Sequence, residues 1–204
     1  MKHTLTITID ATSVALIQAA GQYVTLSRGV SQLVDSVAGQ SLAWQVIPAA
    51  QTIVFAWDDD CYLYQSSGTL AFDQPVYVGN QSQEPAVPGY DYVFDGAQFA
   101  ATPGQGSAYA VRNGDSRTRS ALFGLLQAAS VNAAPVTATP VSCQPVLYGQ
   151  RDQLLLAAGV QIYLSSAPLG GWVIGDLPGS ALTVAEDGAQ VGFDRTTNAF
   201  FLLA

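Results

Sequence analysis

Charge is what this chain has least of. Lysine occurs once in 204 residues, at Lys2, and glutamate twice, at Glu84 and Glu186. Charged residues make up 11% of the sequence, against about 25% in an ordinary soluble domain. Asparagine, glutamine, serine and threonine carry the polarity instead. Neutral groups cost less to dehydrate than ions when another surface covers them, and Lys and Glu are residues that interfaces deplete. The composition points to a chain that attaches to something: a glycan, a membrane surface or copies of itself.

Other absences narrow the chemistry. His3 is the only histidine, and it stands at a terminus, where chains fray, so a Ser-His-Asp or Cys-His arrangement has little to recruit. No Gly-x-Ser-x-Gly occurs, and Gly104-Gln105-Gly106 lacks the third glycine and the strand-to-helix setting of a dinucleotide fingerprint. Cys61 and Cys143 are the only cysteines; they form neither a metal-ligand spacing nor a redox pair, and read as buried thiols, with one disulfide between them as the alternative if the fold brings them together. No cofactor is expected. The longest apolar runs, such as 154–160 and 199–204, fall far short of the roughly 20 residues of a membrane helix. Thr4, Thr6, Thr8 and Asp10 interrupt the N-terminal apolar residues, which excludes a secretory h-region. The expected location is cytoplasmic, or outside the cell by a route that uses no signal peptide.

Net charge is −8, and residues 1–111 hold nine acids against two bases. Such a surface repels phosphate backbones, and no basic stripe with interleaved aromatics offsets it, so nucleic acid is not an expected partner.

What is present is period-2 alternation. Leu5, Ile7 and Ile9 alternate with threonines, which predicts a half-buried strand. Leu42, Trp44 and Val46 repeat the pattern, then Ile53, Phe55 and Trp57, and about ten further short runs follow down to Phe200–Leu203. Many short strands at close spacing predict an all-β fold, specifically a two-sheet β-sandwich of jelly-roll type. Asp95-Gly96, Asn113-Gly114 and Asp187-Gly188 read as two-residue hairpin turns, and the last of them, with 195–198, as part of a three-stranded C-terminal meander. Asp10 as N-cap and Gly21 as C-cap bracket one short helix over 11–20. Pro135, Pro140 and Pro145 mark 130–145 as a linker or inter-sheet crossover. A C-terminal piece of about 60 residues buries too little surface to stand alone, so residues 1–204 read as a single domain. Locally similar stretches recur at conflicting offsets, which argues against a duplication.

Three places carry binding chemistry. Asp58-Asp59-Asp60 reads as an Asp-rich turn between two strands; alternate carboxylates there could share Ca²⁺, but too few oxygen ligands are in view and no metal site is expected. Arg112, Arg117 and Arg119 form the one basic cluster, with guanidinium forks suited to an anionic sugar or a lipid headgroup, although Asp115 can pair with one of them. The tyrosine pairs Tyr62/Tyr64 and Tyr90/Tyr92 each share a sheet face. Beside Asn80, Gln81 and Gln83, in the long neutral loop 79–89, exposed tyrosines would make a stacking platform with amide donors; buried, they would be core. The reading is a non-catalytic binding protein, lectin-like or toxin-like, for a glycan or a membrane surface. A self-assembling homo-oligomer is the first alternative and an Asp-dependent hydrolase the second.

Overall fold

The structure, a computed structural model, describes residues 1–28, 30–31, 41–167, 169–175 and 177–203. These form one helix, α1 (Ala11–Ala19), and nineteen strands. The strands are β1 (Lys2–Thr8), β2 (Tyr23–Ser27), β3 (Val30–Ser31), β4 (Ser41–Ala43), β5 (Gln45–Ile47), β6 (Thr52–Ser66) and β7 (Asn80–Gln81). Next come β8 (Tyr90–Phe94), β9 (Phe99–Pro103), β10 (Tyr109–Asn113), β11 (Ser120–Val131), β12 (Ala134–Pro140) and β13 (Gln144–Leu147). The last are β14 (Arg151–Leu156), β15 (Val160–Ser165), β16 (Trp172–Gly175), β17 (Leu182–Val184), β18 (Ala189–Asp194) and β19 (Ala199–Leu202). The chain is all-β, as the alternation predicts. No helix among the described residues is long and apolar enough to cross a membrane.

The pairing is more divided than a two-sheet jelly roll. An eight-stranded sheet runs β12-β11-β6-β1-β18-β19, with β13 also on β11 and β7 on β6. Separate sheets run β3-β14-β10-β8-β9, β17-β15-β2-β5 and β16-β4. Two pairs, β1 with β18 and β8 with β10, are parallel, whereas a jelly roll is built from antiparallel Greek keys. One apolar cluster joins the three larger sheets. It takes Leu5 and Ile7 from β1, Phe55 and Leu63 from β6, Phe94 from β8, Phe123 from β11 and Ile162 from β15. A smaller cluster of Leu42, Tyr64, Leu122, Leu126, Cys143 and Val173 lies on the other face of β6 and β11.

The helix forms where the caps predict it. The Asp10 carboxylate accepts the Thr12 and Ser13 N–H groups at 3.0 Å, and Gly21 closes the end at φ +66°, a conformation that glycine adopts without Cβ strain. The buried positions are Ser13 and Ile17; Ala20, expected on the apolar stripe, is exposed.

Several local expectations change. Residues 130–145 are neither linker nor crossover: β11, β12 and β13 lie in one sheet, and β12 folds back along β11 through Asn132 and Ala133, both at positive φ. Pro135 and Pro140 fit because β12 is an edge strand, where a missing N–H breaks no ladder bond, and Pro145 lies in β13. The Asp58-Asp59-Asp60 triplet is not a turn but part of the 15-residue β6. It falls where β1 ends and where the β6–β11 register shifts between Gln127 and Ala129, so its side chains meet solvent rather than core. Asp59 takes His3 Nε2 at 2.7 Å and the Met1 amino group at 3.0 Å. Among the described residues no three His, Cys, Asp or Glu side chains are grouped as metal ligands. Asp95-Gly96 does sit in a hairpin, β8–β9, but its loop spans four residues, 95–98. Asn113-Gly114 and Asp187-Gly188 close no hairpin, and β17 pairs with β15 rather than joining a meander. Asp187 instead accepts the Thr4 N–H at 2.7 Å, and Gly188 N–H donates to the Thr4 carbonyl. Both cysteines are buried and unbonded to each other, and burial pushes each thiol up to about 11.

Acid stability follows from the turns. The Ser13 hydroxyl and N–H hold Asp10 below the ordinary carboxylate value of 3.8, and the Gln98 N–H, the Arg117 side chain and the Thr196 N–H do the same for Asp95, Asp115 and Asp194. A carboxyl whose pKa is lower folded than unfolded adds stability above the unfolded value and loses it as pH falls through the folded one. The melting temperature is therefore expected to hold from neutral pH down to about 5 and to fall below about 4. Calorimetry showing no decline between pH 4 and 2 would contradict this account.

Candidate functional site

The loop 79–89 is shaped by an unpaired stretch of β6. Strand β1 reaches Asp58 and stops, so beyond it β6 has carbonyls without a neighbour on that side. The loop supplies the donors at alternate residues of β6: Gly79 N–H to Gln65 O at 2.9 Å, Ser82 N–H to Leu63 O at 2.8 Å, and Ala86 N–H to Cys61 O at 2.7 Å. The Ser82 hydroxyl accepts the Leu63 N–H and donates to the Glu84 carbonyl. A long, proline-bearing loop is thus fixed as an irregular extension of the sheet. Gly89, at φ +82°, then turns the chain into β8. A Cβ there would lie 2.7 Å from the Gly106 carbonyl oxygen, so the turn requires glycine.

Between this loop and the β8–β9 hairpin lies a cleft of about 420 Å³. Gln81, Gln83 and Glu84 come from the loop; Tyr90 and Tyr92 from β8; Gln98 and Phe99 from the hairpin turn and β9. The Tyr90 and Tyr92 rings lie 6.5 Å apart, tilted by 39°. Tyr92 is buried and its hydroxyl accepts the Val87 N–H at 2.7 Å, which ties one wall of the cleft to the other. Tyr90 is half-buried, and Gln81, Gln83 and Gln98 are exposed. Glu84 is the one charged residue in the lining. The cleft offers aromatic surface and uncharged amides from two elements held in fixed relation.

Four of the ten residues expected to bind ligand, Gln81, Gln83, Tyr90 and Tyr92, meet here. The others do not. Tyr64 is fully buried, and its hydroxyl donates to the Ser142 carbonyl at 2.7 Å. Tyr62 packs beside it on the smaller apolar cluster, so this pair belongs to the core: the even-numbered face of β6 is exposed at Asp58 and Asp60 but covered from Tyr62 onward. Asn80 spends its amide on Gln65 Oε1 at 3.0 Å and lies outside the cleft lining. The arginines form no single cluster. Arg117 is held by Asp115 at 2.8 Å and by the Gly96 carbonyl at 2.9 Å. Arg112 stands opposite Arg151, whose guanidinium takes Asp91 at 2.6 Å. Arg119 is exposed. Gln98, Phe99 and Ala101 were missed from sequence, although the hairpin carries the signal: Phe99 pairs with Phe94 and Ala101 with Tyr92, which places them on the tyrosine face.

What the cleft takes must be argued from its own chemistry, because comparison of the chain with protein-family models, curated proteins and solved structures gives no match.

Proposed function

We propose that this chain is a non-catalytic binding protein, lectin-like or surface-binding toxin-like, whose cleft between residues 81–87 and the β8–β9 hairpin takes a neutral polar ligand such as a glycan. The observation that carries this reading is the lining itself: half-exposed aromatic rings beside three exposed glutamines, with a single charge. A sugar presents apolar C–H faces and hydroxyl groups, which such rings and amides match at low desolvation cost. The cleft is tied in place by backbone bonds, so little ordering entropy opposes binding. The same reading takes residues 1–204 as one domain with its larger sheets layered in a sandwich, supported by the apolar cluster those sheets share.

Once a glycan array supplies a ligand, Tyr90→Ala and Gln83→Ala are each expected to weaken it about tenfold by calorimetric titration, equivalent to about 1.4 kcal/mol. Arg112→Ala, outside the cleft, is expected to change affinity less than twofold. Affinity that is insensitive to both cleft substitutions would move the site elsewhere.

A second reading, a self-assembling homo-oligomer, is favoured by one edge of the eight-stranded sheet. Leu203 N–H donates to Gln190 O at 2.9 Å, and the alternation of the ladder turns the Phe200 and Leu202 N–H groups outward. Phe201, Leu202 and Leu203 are exposed there, with neither proline nor charge, whereas β12 at the opposite edge carries Pro135 and Pro140. An unblunted apolar edge is a template for pairing with another chain. Sedimentation velocity is expected to show association that Leu202→Lys reduces; a strict monomer at high concentration, across pH and salt, would remove this reading.

A further inference from the structure

A second pocket, with no lining residue in common with the cleft, has a different chemistry. It encloses about 230 Å³ and is lined by Phe72, Asp73, Tyr163, Ser165 and Trp172 among others. Its frame is rigid. Asp73 N–H donates to the Val173 carbonyl and Val173 N–H to the Gln74 carbonyl, both at 3.0 Å, while Pro75 bridges to Trp172. Asp73 is held at φ +58°, a conformation that Asp and Asn tolerate better than most residues. The Trp172 indole N–H donates to Asp73 Oδ1 at 2.9 Å, which fixes the ring against the carboxylate. Phe72 is 67% exposed at the mouth, and Tyr163 is buried behind.

Among the described residues, three aromatic side chains and one carboxylate thus converge, and none of those lining the pocket is a lysine or arginine. Part of the hydrogen-bonding capacity is spent, while the buried Tyr163 hydroxyl has no partner. The Ser165 hydroxyl bonds Thr25 Oγ1 at 2.7 Å and accepts the Ala167 N–H, and Asp73 Oδ1 is taken by Trp172. What sets the lining apart is aromatic surface beside a negative charge, which suits a cation better than a neutral sugar. A quaternary ammonium needs no hydrogen-bond partner: its methyl groups pack on aromatic faces, and its charge is drawn by the ring quadrupoles and a nearby anion. We propose that this pocket binds a quaternary-ammonium cation of the choline type, with Phe72 and Trp172 as walls and Asp73 as counter-charge.

Calorimetric titration of the full chain with choline and with tetramethylammonium tests this. Saturable binding is expected, weakened by added salt because an exposed carboxylate is screened. Uncharged 3,3-dimethyl-1-butanol, which has choline's shape, is expected to bind at least tenfold more weakly. Phe72→Ala, at an exposed side chain, is expected to cost about three- to tenfold. Asp73→Asn keeps the backbone conformation and the acceptor for Trp172 while removing the charge, and is expected to cost about tenfold; unchanged melting temperatures check that both variants are folded. Phosphatidylcholine vesicles distinguish the source. Vesicle binding that free choline displaces assigns the site to a lipid headgroup, whereas choline binding without vesicle binding assigns it to a soluble cation. Absence of choline binding, equal affinity for the neutral analogue, or an unaffected Asp73→Asn variant would overturn the proposal.

Discussion

Replacing Gly124 by alanine is expected to destabilise the protein by about 3 kcal/mol, at the upper end of what overpacking costs. At about 2–4 °C per kcal/mol for a chain of this size, the melting temperature falls by about 6–12 °C. The reason lies in how β11 is paired along one edge. Leu126 stands opposite Pro140 and Phe123 opposite Gln144, so residues 141–143 span the two positions 124 and 125. The extra residue bulges inward. Val141 N–H donates to Leu125 O at 2.8 Å, and the Ser142 hydroxyl replaces the missing ladder acceptor for Leu125 N–H at 2.9 Å. Ser142 is thereby carried over Gly124. An added Cβ would collide with the Ser142 carbonyl oxygen and come within 2.7 Å of the Tyr64 ring, and that carbonyl already accepts the Tyr64 hydroxyl. The backbone cannot yield without breaking buried bonds. Thermal melting near the wild-type temperature would show that the bulge relaxes freely.

Trp44→Ala is expected to cost about 3–5 kcal/mol, the range for emptying a large buried aromatic site. Trp44 is fully buried and meets Phe55 and Trp57 edge-on at ring separations of 5.0 and 6.0 Å. Its indole N–H donates to the Gln127 carbonyl at 3.1 Å, and the Arg28 guanidinium sits 6.0 Å from the ring. Arg28 is half-buried and donates to Gln127 Oε1 at 2.8 Å. Burial lowers its pKa. Losing the ring therefore empties core volume, removes one donor to the carbonyl of Gln127, a buried residue that also pairs in the β11–β12 ladder, and removes the face beside a desolvated cation. Trp44→Phe restores most of the volume but not the donor, and is expected to cost about 0.5–1.5 kcal/mol, the net contribution of one hydrogen bond. Urea denaturation separates the terms: equal midpoints for the two variants would mean that packing contributes little, and a Trp44→Ala midpoint near wild type would refute the account.

Trp44 also shows where sequence reading failed. Leu42, Trp44 and Val46 alternate as one strand would, yet Ser41–Ala43 pairs with β16 and Gln45–Ile47 with β2, in different sheets. Trp44 is the hinge between them, its N–H donating to Leu26 O at 2.7 Å. Alternation reports which side chains want burial, not which partner buries them. The tyrosine pairs make the same point. Tyr62/Tyr64 and Tyr90/Tyr92 have identical spacing, but the first is covered by β4, β16 and their neighbours and the second borders a cleft.

The sequence by itself determined the all-β class, the helix over 11–19 with its Asp10 and Gly21 caps, the apolar face Leu5–Ile7 and the burial of both cysteines. Each depends on periodicity or on residue-intrinsic backbone preference, which act within a few positions. Tertiary structure alone decided the division into four sheets, the parallel β1–β18 pair, the conversion of 130–145 into strands and the placement of the Asp triplet inside β6. It also assembled the Phe72–Asp73–Trp172 pocket, whose residues stand 99 positions apart at the Trp172–Asp73 hydrogen bond. Such pairings join segments through backbone N–H and C=O groups that every residue carries, so side-chain pattern leaves the choice of partner open until the whole chain has to fill its core and satisfy its buried ladders at once.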